Sequence, residues 1–108
     1  MEPVSLVTRT DIVDGSAVVS VTGDVDLVSA AHLRTVLEEA LELSSHLIVD
    51  VAEMTFIDSS GLSALVHVHR QAADRGARMT VRHPSPMLMR LLSITRLETV
   101  LVVDDGEA

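Results

Sequence analysis

Hydrophobic positions along this chain change their period several times, and each change marks an element. Residues 4–8 and 17–22 are short runs of strand type, and Val18, Val19 and Val21 are β-branched residues suited to a pleated surface. A polar stretch over 11–16 predicts the turn between them, and Gly23 predicts the end of the second strand. Leu33, Val36, Leu37, Ala40 and Leu41 then recur at helical spacing, predicting a helix over about 29–43. Residues 47–51 are short and almost continuously apolar, as a central strand covered on both faces would be. A second helix is expected over about 60–75, with Leu62, Leu65, Val66, His69 and Ala73 on one face and Gly76 at its stop. Residues 79–82 predict a fourth strand. Pro84 and Pro86 punctuate the entry to a short helix carrying Met87, Leu88, Leu91 and Leu92. Residues 99–103 predict a fifth strand, and 104–108 a frayed tail.

Strands alternating with helices in the second part imply right-handed βαβ crossovers, while the opening hairpin makes the sheet mixed. The expectation is one α/β domain over 1–108, with a mixed, mainly parallel sheet of about five strands packed with three to four helices. No internal repeat, low-complexity tract or linker interrupts it.

Composition narrows the possible partners. With 47% hydrophobic and 22% charged residues the chain can bury a true core, and Phe56 is its only aromatic, so that core must be aliphatic. The formal net charge of −8 and the absence of Trp and Tyr argue against nucleic acid. They also disfavour anionic membranes, so a basic protein surface is the more natural partner. There is no cysteine, which removes disulfides and thiolate chemistry. The start lacks a basic segment followed by an apolar run, so no signal peptide is expected, and no apolar run reaches the ~20 residues needed to span a bilayer. A soluble cytoplasmic domain is expected.

The most informative stretch is Asp58-Ser59-Ser60-Gly61, where the central strand feeds a helix. Free amides at a helix start favour negative charge, so a serine placed there carries a phosphate at low cost. The plain alternative is that one of these residues only caps the helix, worth roughly 1 kcal/mol. Three cap candidates in a row exceed that need. Gly61 costs roughly 1 kcal/mol relative to Ala early in a helix, and a bare backbone there would let a partner come close to the serine. A serine hydrolase is disfavoured, because the Gly-x-Ser-x-Gly elbow is missing and no histidine is evidently placed as its base. Asp24 and Asp26 form a second acidic turn, whose plain reading is a solvated helix entry. His67 and His69 are two residues apart and so on different helix faces, with no other ligand cluster in support; no metal is expected. His32, His46 and His83 read as surface residues, and Met87 and Met89 as flexible core filling.

With these residues in view, the chain resembles the bacterial anti-sigma factor antagonists, the founding group of STAS domains, over nearly its whole length. Gly23-Asp24-Val25-Asp26 followed by Ala30 or Ala31 is similar to that family's Gly-Glu-Leu-Asp segment, with Asp24 in place of the more common glutamate. Residues 47–62 resemble its central strand and phosphorylation loop, including Asp-Ser-Ser/Thr-Gly-Leu without a mismatch. Ser85-Pro86 resembles the start of its third helix. The resemblance implies a partner-switching regulator without catalytic residues or cofactor. Unmodified, such a protein binds an anti-sigma factor that is itself a serine kinase, and so frees a sigma factor. Phosphorylation of Ser59, with Ser60 the second choice, would release it, and a serine phosphatase would reset it. The implied partner-binding set is Asp24, Asp26, Asp58, Ser59, Ser60, Gly61 and Leu62, on a monomer or weak dimer. The terminal helix common in that family is expected to be short or missing. The competing expectation is a STAS scaffold or small-ligand module without phosphorylation.

Overall fold

The computed structural model describes residues 6–104. Strands β1 (Leu6–Val13) and β2 (Ser16–Val25) form an antiparallel hairpin. Its loop is only Asp14-Gly15, with φ of 51° and 84°. Two positive φ values in a two-residue loop match the twist of the flanking strands, which is why Asp-Gly suits it. The turn expected over 11–16 is therefore shorter, because Asp11 and Ile12 join the ladder opposite Val18 and Ala17. Val4 and Ser5 of the expected first strand lie outside the described residues.

Helix α1 (Leu27–Leu41), strand β3 (His46–Ile57), helix α2 (Ser59–Asp74) and strand β4 (Arg78–Arg82) follow. Helix α3 (Pro86–Ile94), a 3-10 turn (Leu97–Thr99) and β5 (Val102–Asp104) complete the order. The sheet runs β1-β2-β3-β4-β5, with β1–β2 antiparallel and the other three pairings parallel. This is the mixed, mainly parallel sheet expected, in a single compact α/β domain.

Besides β1, which runs on to Val13, β2 and β3 are longer than their patterns suggested. β2 does not end at Gly23, which has φ of 99°, but runs on to Val25. β3 extends six residues past Val51. Between the Ser20–Asp50 and Thr22–Glu53 pairs, and again between Gly23–Met54 and Asp24–Phe56, β3 carries one extra residue. Each bulge resets which side chains face inward, so burial along β3 passes from every second residue to Val51, Met54 and Ile57. A period of two is lost without the strand being lost.

Helices α1 and α2 pack side by side over the sheet. The core between the layers is aliphatic: Ala17, Val19 and Val21 of β2 meet Leu47, Val49 and Val51 of β3, all nearly inaccessible. Leu33 and Leu37 close it from α1, and Leu65 and Val68 from α2. Each such leucine contributes roughly 1.5–3 kcal/mol relative to an exposed one. α2 ends as Gly76 suggests. With φ of 71° it lets its own amide reach the Ala73 carbonyl (3.1 Å) and the Ala77 amide that of Ala72 (2.8 Å).

Several outward assignments differ. Ala73 is exposed, one position off the buried stripe that ends at Ala72. Met87 and Met89 are also exposed, because the short α3 turns only Leu88 and Leu92 fully inward. His46 is not a simple surface residue. Its ring lies between the Ser16 hydroxyl (3.3 Å) and the Thr80 hydroxyl (2.9 Å), and partial burial, then Arg78, depresses its pKa. β5 starts at Val102 because Thr99 is drawn into the 3-10 turn, its hydroxyl donating to the Arg96 carbonyl at 2.8 Å. Asp104 belongs to β5, opposite Arg82, and the rest of the expected tail lies outside the described residues.

Candidate functional site

Parallel neighbours β2 and β3 both hand over to helices at the carboxyl edge of the sheet, the usual place for ligands in open α/β folds. The two junctions are tied together: the Asp58 amide donates to the Val25 carbonyl at 3.1 Å. Asp24, Asp26, Asp58, Ser59 and Ser60 thus gather on one end of the molecule.

Each aspartate just before a helix is its N-cap. Asp26 takes an extended conformation, and its Oδ1 accepts from the amides of Val28 (3.1 Å) and Ser29 (2.9 Å). Ser29 answers by accepting from the Asp26 amide at 2.9 Å, which closes a capping box and starts α1 at Leu27, two residues earlier than expected. These bonds, the Ser29 amide foremost, hold the Asp26 carboxyl below its ordinary pKa. At α2, Asp58 accepts from the amides of Ser60 (2.9 Å) and Gly61 (3.2 Å). Capping is therefore done by Asp58, and neither neighbouring serine is needed for it. Among the described residues the hydroxyls of Ser59 and Ser60 have no hydrogen-bond partner; Ser59 is exposed and Ser60 half-buried.

Gly61 and Leu62 play a different part from the one expected. A Cβ on Gly61 would stand 2.5 Å from Ile57 Cγ1 and 2.7 Å from Val25 Cγ1. Gly61 is bare so that α2 can lie against the ends of β2 and β3, not so that a partner can approach. Leu62 is 5% exposed and belongs to the core. Both residues hold the loop in place from inside, where sequence reasoning had put them on the contact surface.

Asp24 is exposed, and its carboxylate accepts from the Thr55 hydroxyl at 2.5 Å, which fixes it across the bulged end of β3. Around this acidic end stand apolar side chains that sequence reasoning did not single out: Leu27 (75% exposed), Val28 (84%) and Phe56 (45%). Val28 could have been noticed, since it falls out of phase with the inward stripe of Leu33, Leu37 and Leu41. Phe56 could have been noticed too, had the strand been carried past Val51, since the alternation of Leu47, Val49 and Val51 extended that far points it outward; the bulges re-aim Met54 instead.

Among the described residues, no cluster of three acidic, histidine or cysteine side chains is placed to hold a metal ion, and no helix is long and apolar enough to cross a membrane.

An acidic α/β domain with paired caps and an uncommitted serine at the sheet's carboxyl edge is a STAS-type architecture. The chain belongs to the STAS domain family: the family model described as "Mlab, STAS domain" matches residues 8–103. It is similar to the anti-sigma F factor antagonist of Paenibacillus polymyxa, 25% identical over 86% of this chain and 81% of that protein. It is also similar to the anti-sigma-B factor antagonist of Bacillus subtilis, 28% identical over 77% of this chain and 76% of the relative. Among solved structures, an anti-sigma factor antagonist from Mycobacterium paratuberculosis superposes with a TM-score of 0.83 at 25% identity, over 92% of this chain and 85% of that one.

Proposed function

We propose that this protein is an anti-sigma factor antagonist that works as a phosphorylation-controlled partner switch, with Ser59 as the acceptor. The observation that carries this reading is the exposed, unbonded Ser59 hydroxyl at the first position of α2, beside an Asp58 already committed to the helix amides. The names of the relatives support the class of partner. Unmodified, the chain docks an anti-sigma serine kinase through the end of the molecule that carries Asp24, Ser59, Leu27, Val28 and Phe56. Exposed apolar side chains inside an acidic rim suit a partner with an apolar pocket bordered by basic residues. Asp26 and Asp58 shape that surface through the backbone.

A phosphate on Ser59 adds about −1.5 to −2 charges at neutral pH, in the middle of that contact. Buried against a partner it must be desolvated next to Asp58 and Asp24, and each 1.4 kcal/mol lost weakens binding about tenfold. The protein is then a kinase substrate, with no catalytic residue of its own in this scheme, and a serine phosphatase restores it in the cytoplasm, where sigma factors act. Incubation with the cognate kinase and ATP is expected to leave one phosphate on the peptide containing Ser59. In a binding titration Ser59→Asp is expected to lose at least tenfold in affinity, while Ser59→Ala retains it. Equal affinities of the two variants, or phosphate found only elsewhere, would overturn the proposal.

A further inference from the structure

A furrow runs between the first turns of α1 and α2. Leu27, Ala30, Ala31 and Arg34 occupy positions i, i+3, i+4 and i+7 of one helix. Ser60, Ser63, Ala64 and His67 occupy the same four positions of the other. Both sets form a continuous helical face with small residues at its middle positions, and the helices leave a furrow of about 390 Å³ between them. That volume lies in the range of small-molecule sites.

The furrow is lined by hydrogen-bonding groups without partners. Arg34 uses only Nε, 3.4 Å from Glu38 Oε2, so both of its Nη groups are unbonded among the described residues. The Ser60 and Ser63 hydroxyls are likewise unbonded, and His67 Nε2 stands 3.9 Å from Glu38 Oε2, beyond hydrogen-bond range. Each carboxylate nearby has one oxygen engaged. Glu38 accepts from Gln71 Nε2 at 2.8 Å as well as facing Arg34, and these contacts hold its pKa down. Asp26 and Asp58, at the starts of the two helices, each turn Oδ1 to the helix amides. A guanidinium with free Nη groups and two hydroxyls one helical turn apart suit a tetrahedral oxyanion, and Leu27 and Ala64 offer an apolar wall beside them.

We infer that the furrow between α1 and α2 binds a small phosphate monoester, its phosphate on Arg34, Ser60 and Ser63 and its organic part against Leu27 and Ala64. The site borders the proposed docking surface at Leu27 and Ser60 but does not rest on Ser59 being an acceptor; a phosphate on Ser59 would weaken binding there by like-charge repulsion.

Titrating the protein with phenyl phosphate and, in a parallel series, inorganic phosphate tests it. Amide NMR shifts are followed at constant ionic strength, because exposed charges are screened. Saturable shifts confined to the furrow are expected, with phenyl phosphate binding severalfold more tightly than inorganic phosphate. Arg34→Gln should weaken phenyl phosphate at least tenfold, and Ser63→Asp, which adds a carboxylate at an exposed position, should abolish its binding. Arg75→Gln, at a cation paired with Glu42 outside the furrow, should change nothing. Each variant's thermal midpoint is read alongside, so that misfolding is not counted as lost binding. Linear, non-saturating shifts, binding unaffected in both Arg34→Gln and Ser63→Asp, or equal loss in Arg75→Gln would overturn the site. Equal affinity for the two probes would overturn its apolar half.

Discussion

The starts of α1 and α2 solve one problem with the same residue and then diverge. In both, an extended aspartate gives its carboxylate to the second and third helical amides. At α1 the third position is Ser29, buried, with its hydroxyl shared between the Asp26 amide, the Asp26 carboxylate and the Asp24 carbonyl. At α2 the third position is Gly61, where no side chain fits. The first two positions differ in the opposite sense: exposed, apolar Leu27 and Val28 at α1, hydroxyl-bearing Ser59 and Ser60 at α2. Cap and third position are dictated by backbone amides and the core, whereas the two positions between them are left to function. One helix start is closed on itself and the other is open to chemistry.

That contrast breaks most visibly at the third position. Gly61→Val should destabilise the protein by roughly 3 kcal/mol in urea unfolding, the upper end for overpacking, because Ile57 and Val25 are stiff, buried neighbours. Little change would mean that α2 can shift outward, and the contact would not be tight. At the caps, Asp58→Ala should cost about 1 kcal/mol. Asp26→Ala should also destabilise, with a pH signature. The folded Asp26 carboxyl lies below its ordinary value, so its contribution is present above the unfolded carboxylate pKa and disappears as pH falls through the folded one. Melting curves of wild type and Asp26→Ala should therefore converge in acid and separate towards neutrality. The smallest effect belongs to the open position: Ser59→Ala should alter stability by less than about 0.5 kcal/mol, as at other unbonded surface sites. A larger loss would show that Ser59 supports the fold and weaken its assignment as a free acceptor.

Legibility from the chain alone differed between the same regions. Helical stripes such as Leu33, Leu37 and Leu41 were readable because a regular helix repeats one relation between neighbours. The Asp14-Gly15 hairpin was readable in principle, since Asp-Gly between two β-branched runs carries its own conformational signal. Residues 52–57 were not, because the bulges that keep them in β3 arise from pairing with β2, a partner about thirty residues away in sequence. The acidic-serine cluster could be picked out by residue type, but not which member caps, which is exposed and which is buried.

By itself, then, the sequence determined the aliphatic core, the alternation of strands and helices, and the crowding of Asp58, Ser59 and Ser60 at a helix start. These follow from local periodicity and residue chemistry. Only the tertiary structure decided that Gly61 and Leu62 face inward, that Met54 turns in against the alternation of its strand, and that the small residues of two helices leave a furrow. Each of those depends on atoms brought together from distant parts of the chain, and close packing admits one arrangement where composition allows several.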